Sequence, residues 1–261
     1  MTSLLTPSDP PPVEHVDGEG RTPVLLTCDH ASRAVPRALH NLGLDKEQLS
    51  LHIAWDIGAA AVTRDLATRL DAPALLAGYS RLVIDCNRNL DDPTSIPPVS
   101  DGIEVPGNRD LAPEQRRARV EALFRPYHAA IEAALDRFAA RGVHPAVLSV
   151  HSFTPVMNGF NRPWHIGILW DKDPRIPVPF MAALRREKGL VVGDNEPYSA
   201  REPAGHSVRT HAVARGLPHV AVEIRQDLIA EAAGQREWAD RLHRYLVPIL
   251  EDPGLYRVKH Y

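Results

Sequence analysis

Three apolar runs in this chain stop on a side chain that can bind a metal ion or transfer a proton. The run VLLTCD precedes His30, AVLSV precedes His151 and VAV precedes Glu223. Short apolar runs of this kind indicate strands that are buried on both faces of a sheet. Ligands of open α/β sheets bind beyond the carboxyl ends of such strands. We therefore expect these two histidines and this glutamate to lie together at one edge of a sheet.

Helical patterns alternate with the strands along the chain, which predicts an α/β fold. One domain is expected over residues 21–261, with a mixed, mostly parallel sheet and helices on both faces. Residues 1–20 are rich in proline, glycine and acidic residues, so we expect a flexible tail there. A further strand is predicted at residues 79–85 and a helix beginning at Asp56. The long loop predicted at residues 89–112 is typical of a functional or mobile segment.

Composition argues against several classes of function. The net charge is -3 and no basic run is present, so nucleic-acid binding is not expected. No apolar run approaches the roughly 18 residues of a membrane span, and the start of the chain does not resemble a secretory signal. Cys28 and Cys86 do not form a disulfide framework, which favours a reducing, cytoplasmic location.

His30 and His151 are the first candidates for metal ligands. Catalytic zinc sites use three protein ligands and keep one position open. Each histidine taken alone could instead satisfy a strand terminus. Asp56 is the candidate for the third ligand, although an aspartate at the start of a helix commonly caps it. Asp29 and Asp85 also lie near strand ends; Asp29 is the poorer candidate because successive strand residues face opposite ways.

Glu223 is the candidate general base. A carboxylate at the end of an apolar strand is costly unless it is paired or used in chemistry. Beside a metal it could take a proton from water and later give it to a leaving amine. The alternative is a structural ion pair with Arg225 or another arginine.

Two arginines are candidates for binding a substrate carboxylate, because a guanidinium group binds carboxylates in a bidentate manner. Arg88 follows Asn87 at the end of the predicted strand, and Arg81 precedes its apolar residues. Arg81 could equally be a surface arginine at the flank of that strand. Tyr198, in the NEPY loop, is a candidate for covering the site.

Six segments of the chain, in this order, resemble motifs of the N-formylglutamate amidohydrolase family: TCDHAS (27–32), HIAWDIG (52–58), YSRLVIDCNR (79–88), VHSF (150–153), GDNEPYS (193–199) and GLPHVAVEIRQDLI (216–229). The resemblance extends from about residue 22 to residue 245. It implies hydrolysis of N-formylglutamate to formate and glutamate in histidine breakdown. It also implies a zinc-peptidase-like (phosphorylase/hydrolase-like) α/β fold.

A more distant resemblance links the chain to zinc carboxypeptidases. The HSF segment at 151–153 is similar to their late zinc-ligand motif, and VEIR at 222–225 is similar to their catalytic-glutamate motif. The Asn87–Arg88 pair is similar to their carboxylate-binding pair. Those enzymes carry a ligand glutamate three residues after the first histidine, where this chain has Arg33. Asp56, which belongs to a motif of the amidohydrolase family, is expected to replace that glutamate.

The expected function is therefore metal-dependent hydrolysis of an N-formyl or N-acyl amino acid with a free carboxylate. Zn²⁺, or another divalent metal, would be held by His30, Asp56 and His151. One alternative is a metal-dependent deacylase or peptidase that acts on other N-acyl amino acids. Another is a non-catalytic carboxylate-binding protein of the same fold, which the missing ligand glutamate suggests. Each of these has a small molecule as its partner.

Overall fold

The computed structural model describes residues 4–18, 22–201 and 205–261. Its strands, in chain order, are β1 (Val13–Val16), β2 (Val24–Cys28), β3 (Ala74–Ala77), β4 (Val99–Ser100), β5 (Ile103–Glu104), β6 (Ala146–Phe153), β7 (Val156–Met157), β8 (Phe160–Asn161), β9 (Ile166–Leu169), β10 (Val192–Asp194) and β11 (His219–Arg225). Seven of these form one sheet in the order β1-β3-β2-β6-β11-β9-β10, and β4–β5 and β7–β8 form separate hairpins.

The central sheet is mixed and mostly parallel, as predicted. The β3–β2, β2–β6, β6–β11 and β9–β10 pairs are parallel. The β1–β3 and β11–β9 pairs are antiparallel. The carboxyl ends of β2, β6 and β11 consequently lie next to one another at the same edge of the sheet.

Helices cover the two faces of this sheet unequally. They are α1 (Ala59–Leu70), α2 (Pro113–Arg119), α3 (Arg125–Ala140), α4 (Pro177–Leu184) and α5 (Ala232–Leu250). A π-helical turn at Val120–Phe124 joins α2 to α3. Apolar side chains of α1, α4 and α5 pack on one face of the sheet, and those of α3 pack on the other. No helix among the described residues is both long and apolar enough to cross a membrane.

The strand alternation decides which residues face the core and which face the site. Val220, Val222 and Ile224 of β11 pack into the core with α1 and α5. The residues between them point to the opposite face. There α3 covers β2, β3 and β6, whose residues Leu25 and Val147 pack against it.

Beyond β6 on that face, the sheet forms the floor of a cavity of about 1030 Å³. Leu169 of β9 and Ala221 and Glu223 of β11 line this floor. The cavity therefore begins where the layer formed by α3 ends.

Part of the predicted N-terminal tail is a strand of the sheet. Val13 lies opposite Ala77 in the β1–β3 pair and is buried in the core. The prediction of a flexible tail is wrong for this segment, because backbone hydrogen bonds to β3 hold a short edge strand whatever its composition. Residues 1–3, 19 and 20 of the tail, and residue 21 at the start of the predicted domain, lie outside the described residues.

Two further predictions about local structure are wrong. Residues 79–85 form turns and not a strand, since their backbone bonds to loops: Ser80 N–H donates to the Ala34 carbonyl and Arg81 N–H to the Ala54 carbonyl. The helix predicted to begin at Asp56 begins at Ala59 instead. The segment predicted as a loop at residues 89–112 contains the β4–β5 hairpin, which contributes to the wall of the cavity.

Candidate metal centre and active site

His30, Asp56 and His151 converge on one point at the carboxyl edge of the sheet. Oδ2 of Asp56 lies 3.3 Å from Nδ1 of His30 and 2.9 Å from Nδ1 of His151. One ligand atom from each of the three residues lies within 4.8 Å of the other two, and all three side chains are buried. Two imidazole nitrogens and a carboxylate oxygen are a donor set that zinc prefers at catalytic sites.

Local backbone structure explains how Asp56 reaches the histidines. Its N–H donates to the carbonyl of His30, which fixes the turn against the end of β2. Gly58, with φ of 81°, is the residue before α1, and no side chain caps this helix. The capping alternative considered for Asp56 is therefore wrong, and its carboxylate is available to the two imidazole rings.

Each histidine has a second carboxylate behind it. Nε2 of His30 lies 2.7 Å from Oδ1 of Asp85, and Nε2 of His151 lies 3.2 Å from Oδ2 of Asp29. Histidines that bind metals commonly donate their other ring N–H to a carboxylate, which fixes the ring and its tautomer. In this arrangement both Nδ1 atoms face Asp56, and each Nε2 atom contacts a carboxylate on the other side of its ring.

The charge balance of the cluster favours a cation. Burial alone would raise the pKa of Asp29, Asp56 and Asp85, but their histidine and arginine neighbours hold all three pKa values below the usual range. Burial alone would lower the pKa of His151, yet its carboxylate neighbours raise it. Three buried carboxylates thus surround two imidazoles, and a divalent ion bound there would take the place of the protons that the carboxylates hold on the rings.

Glu223 is placed beside this centre by strand pairing. It lies opposite His151 in the parallel β6–β11 pair and opposite Gly167 in the antiparallel β11–β9 pair. Burial raises its pKa to about 7, and its Oε2 atom is buried without a hydrogen-bond partner among the described residues. Arg225 pairs with Asp227 instead, at 2.8 Å, so the structural ion pair considered for Glu223 is absent from the described contacts.

Arg81 lies between the candidate metal ligands and the cavity. Its Nη2 donates to Oδ2 of Asp85 at 2.8 Å, and its Nη1 lies 3.6 Å from Oδ1 of Asp56. The guanidinium also lines the cavity. Arg81 therefore balances two of the buried carboxylates, whatever else it contacts.

Asn87 and Arg88 line the cavity close to Asp85. Backbone N–H of Asn87 donates to Oδ1 of Asp85. The side-chain oxygen of Asn87 accepts from the backbone N–H groups of His206 and Ser207. The amide NH₂ is consequently the end of Asn87 that can be offered to a substrate.

Tyr198 lies over the cavity next to a buried arginine. Nη1 of Arg162 donates to the Tyr198 hydroxyl at 3.2 Å, and its guanidinium stacks 4.9 Å from the ring centre. Gly167 permits this loop to approach, because a Cβ at that position would overlap the carbonyl oxygen of Glu196. The same glycine lies opposite Glu223, so the loop bearing Tyr198 packs beside the proposed base.

Several features of the site were not predicted from the sequence. Asp29 and Asp85 were considered only as possible ligands, and Arg162 was not considered. Asp29 and Asp85 lie near the ends of apolar segments, as the sequence shows. Their roles depend on the orientation of two imidazole rings, which the spacing of residues does not encode. His128 is also buried, and its Nδ1 lies 2.7 Å from Nε2 of His211.

A sequence model of the N-formylglutamate amidohydrolase family matches residues 22–230 of the chain. The chain belongs to this family. The match contains all the candidate ligands and the candidate base, which confirms the family resemblance drawn from the six motifs.

One curated relative and one solved structure extend the comparison. The N-formylglutamate deformylase of Pseudomonas putida is 32% identical over 145 residues, which are 51% of this chain and 53% of that protein. The chain thus matches about half the length of this curated relative. A crystal structure of a gene product from Agrobacterium tumefaciens, 38% identical, has a TM-score of 0.90 and covers 95% of this chain and 98% of that one.

The fold is also shared with a more distant solved structure. N-formylglutamate amidohydrolase from Ralstonia eutropha is 21% identical, with a TM-score of 0.62, and covers 92% of this chain and 95% of that one. This similarity supports the α/β architecture of the family member described here.

Proposed function

We propose that this family member hydrolyses the amide bond of N-formylglutamate, or of a related N-acyl amino acid with a free carboxylate. A divalent metal, with zinc as the first candidate, would be held by His30, Asp56 and His151. The observation that carries the proposal is the convergence of two Nδ1 atoms on one carboxylate. Beside them lies the buried Oε2 of Glu223, which has no hydrogen-bond partner in the described part of the chain. The choice of N-formylglutamate as substrate is based on the names of the relatives.

The residues fit the metal in number, in donor type and in charge. Nitrogen and oxygen donors suit zinc, and the carboxylates behind the histidines keep each ring in the tautomer whose Nδ1 lone pair is free. When bound, the ion supplies Lewis acidity, which polarises the acyl carbonyl and makes water a stronger acid.

Glu223 acts as the general base in this proposal. Its pKa of about 7 lies near neutral pH, where a carboxylate can both accept and return a proton efficiently. It takes a proton from the water that attacks the acyl carbon. It then delivers that proton to the nitrogen as the C–N bond breaks, so formate and the free amino acid are released.

The substrate carboxylate would bind where Asn87 and Arg88 line the cavity. Arg81 already faces Asp85 and Asp56, so its role is to balance their charge and to face the developing oxyanion. The Tyr198 hydroxyl accepts from Arg162, which leaves its own proton to donate to the substrate.

The test is release of formate from N-formyl-L-glutamate by the purified chain. A matched substrate, with both carboxylates converted to amides, separates carboxylate recognition from amide hydrolysis. We expect rapid formate release from the acid and much slower release from the diamide. Absence of hydrolysis with either substrate, in protein loaded with zinc, would overturn the proposal.

A further inference from the structure

The cavity extends far beyond the metal centre along one strand. His219, Ala221 and Glu223 of β11 all line it, and they alternate along the same face of that strand. Glu223 follows His219 by four positions of extended chain, a distance of about 13 Å. The part of the cavity that extends from Glu223 along β11 to His219 is the trough.

The volume of the whole cavity exceeds what N-formylglutamate requires. Pockets of roughly 300–1,000 Å³ hold drug-sized ligands, and this cavity of about 1030 Å³ lies at the upper limit of that range. N-formylglutamate is a small amino-acid derivative that would occupy only the end near Glu223. Part of the remaining space lies along β11 towards His219, and part lies beside the β4–β5 hairpin.

Charged and apolar residues both line the cavity, with Asp173, Arg209 and Lys259 among the charged ones. The floor of the trough includes Ala221 and Leu169, which lie opposite each other in the β11–β9 pair. Val208, Val213 and Leu217 are further apolar residues of the cavity lining. Val213 is 44% exposed, although a residue of this type is usually buried. An apolar lining left open at this place suits a hydrocarbon chain.

We propose that the trough binds the acyl chain of an N-acyl amino acid, and that medium-length, mainly apolar acyl groups are substrates. The inference rests on the proposed hydrolase function and extends its substrate class. The amide carbonyl lies at the metal centre, the amino-acid carboxylate lies at Asn87 and Arg88, and the acyl chain runs over Ala221 towards His219. Water adds to the acyl carbon, the C–N bond breaks, and a fatty acid and the amino acid are released.

Ala221 gives a selective test, because a larger side chain there blocks the trough without touching the metal candidates. The substitution Ala221→Leu should lower kcat/KM for N-octanoyl-L-glutamate by roughly tenfold or more relative to kcat/KM for N-formyl-L-glutamate. Ala133→Leu, at an exposed position of α3, makes the same change outside the cavity and is the control. Thermal melting of both variants checks that they fold.

Binding measured without turnover separates this inference from the proposed function. N-octanoyl-L-glutamate should bind the zinc-loaded protein, by calorimetry, more tightly than N-formyl-L-glutamate, and Ala221→Leu should remove that advantage. If formate is released but the octanoyl compound is neither bound nor cleaved, the trough proposal is overturned while the hydrolase proposal stands. Equal losses of kcat/KM for the two substrates in Ala221→Leu would also overturn the trough proposal.

Discussion

Glu223 and His151 lie directly opposite each other on the neighbouring parallel strands β11 and β6. Paired residues of a parallel sheet point to the same face, so the proposed base and a proposed metal ligand have their positions fixed by the same backbone hydrogen bonds. Rigid strands of this kind hold catalytic groups more accurately than loops do.

The substitution Glu223→Gln should abolish most turnover and leave the metal site intact. Glutamine keeps the size of the side chain but cannot accept the proton from water, and loss of a general base typically costs about 10²–10⁴-fold in rate. The measurement is kcat for formate release together with metal content. Turnover close to that of the unaltered protein would contradict the assignment.

The carboxylates behind the histidines should control metal affinity. Asp29→Asn and Asp85→Asn keep the shape of each side chain and remove its charge, so each is expected to weaken metal binding by about 10–100-fold. Asp136→Asn, which alters an exposed ion pair with Arg215, is the control. Competition with a chromophoric chelator measures the affinity. Equal affinities in all three variants would contradict the role given to these residues.

Gly167 should be required for the loop that carries Tyr198. In Gly167→Ala the new methyl group displaces the Glu196 carbonyl, and misplacement of this kind can lower kcat/KM by up to roughly a hundredfold. Ile168→Val, on the opposite face of the same strand, should cost only about 1 kcal/mol of stability and leave the loop in place. Steady-state kinetics of both variants make the comparison. An unimpaired Gly167→Ala enzyme would show that the loop has no role in turnover.

The free energy of unfolding should decrease as the pH is lowered from 6.5 to 4, because two histidines are buried. Burial, as the largest cause, lowers the pKa of His128 and of His211 to about 4 in the folded state. The unfolded chain, with histidine pKa values near 6.5, therefore binds more protons in this interval, and the free energy of unfolding decreases as the pH falls.

The contribution of His128 can be isolated by substitution. A shift from about 6.5 to about 4 costs about 2 kcal/mol at pH 5. The loss of unfolding free energy between pH 7 and pH 5, from urea titrations, should accordingly be smaller in His128→Gln than in the unaltered chain. The same loss in both proteins would contradict the buried, neutral state of this residue.

The parts of the site that the sequence predicts are those carried by buried strands. Apolar runs that end on His30, His151 and Glu223 were sufficient to predict three strands with polar carboxyl ends, and the sheet brings those ends together. Asp56 was a candidate from its local sequence, where a position before a helix predicts a cap equally well, and the family motif favoured it as the third ligand.

The remaining features depend on tertiary contacts that periodicity does not report. Residues 79–85 carry the apolar residues of a strand, but no neighbouring strand is available and they form turns against loops. The roles of Asp29 and Asp85 follow from the orientation of two imidazole rings. The trough beside Ala221 exists because α3 covers only part of one face of the sheet, which is a property of helix placement.

The central claim is that His30, Asp56 and His151 hold one metal ion on which hydrolysis depends. Its most direct test is a titration of chelator-treated protein with Zn²⁺, in which bound metal and formate release are measured together. We predict that activity rises in proportion to bound metal and saturates at one ion per chain, and that Asp56→Ala shows neither effect. Full activity in the metal-free protein, or unaltered metal binding in Asp56→Ala, would contradict the account.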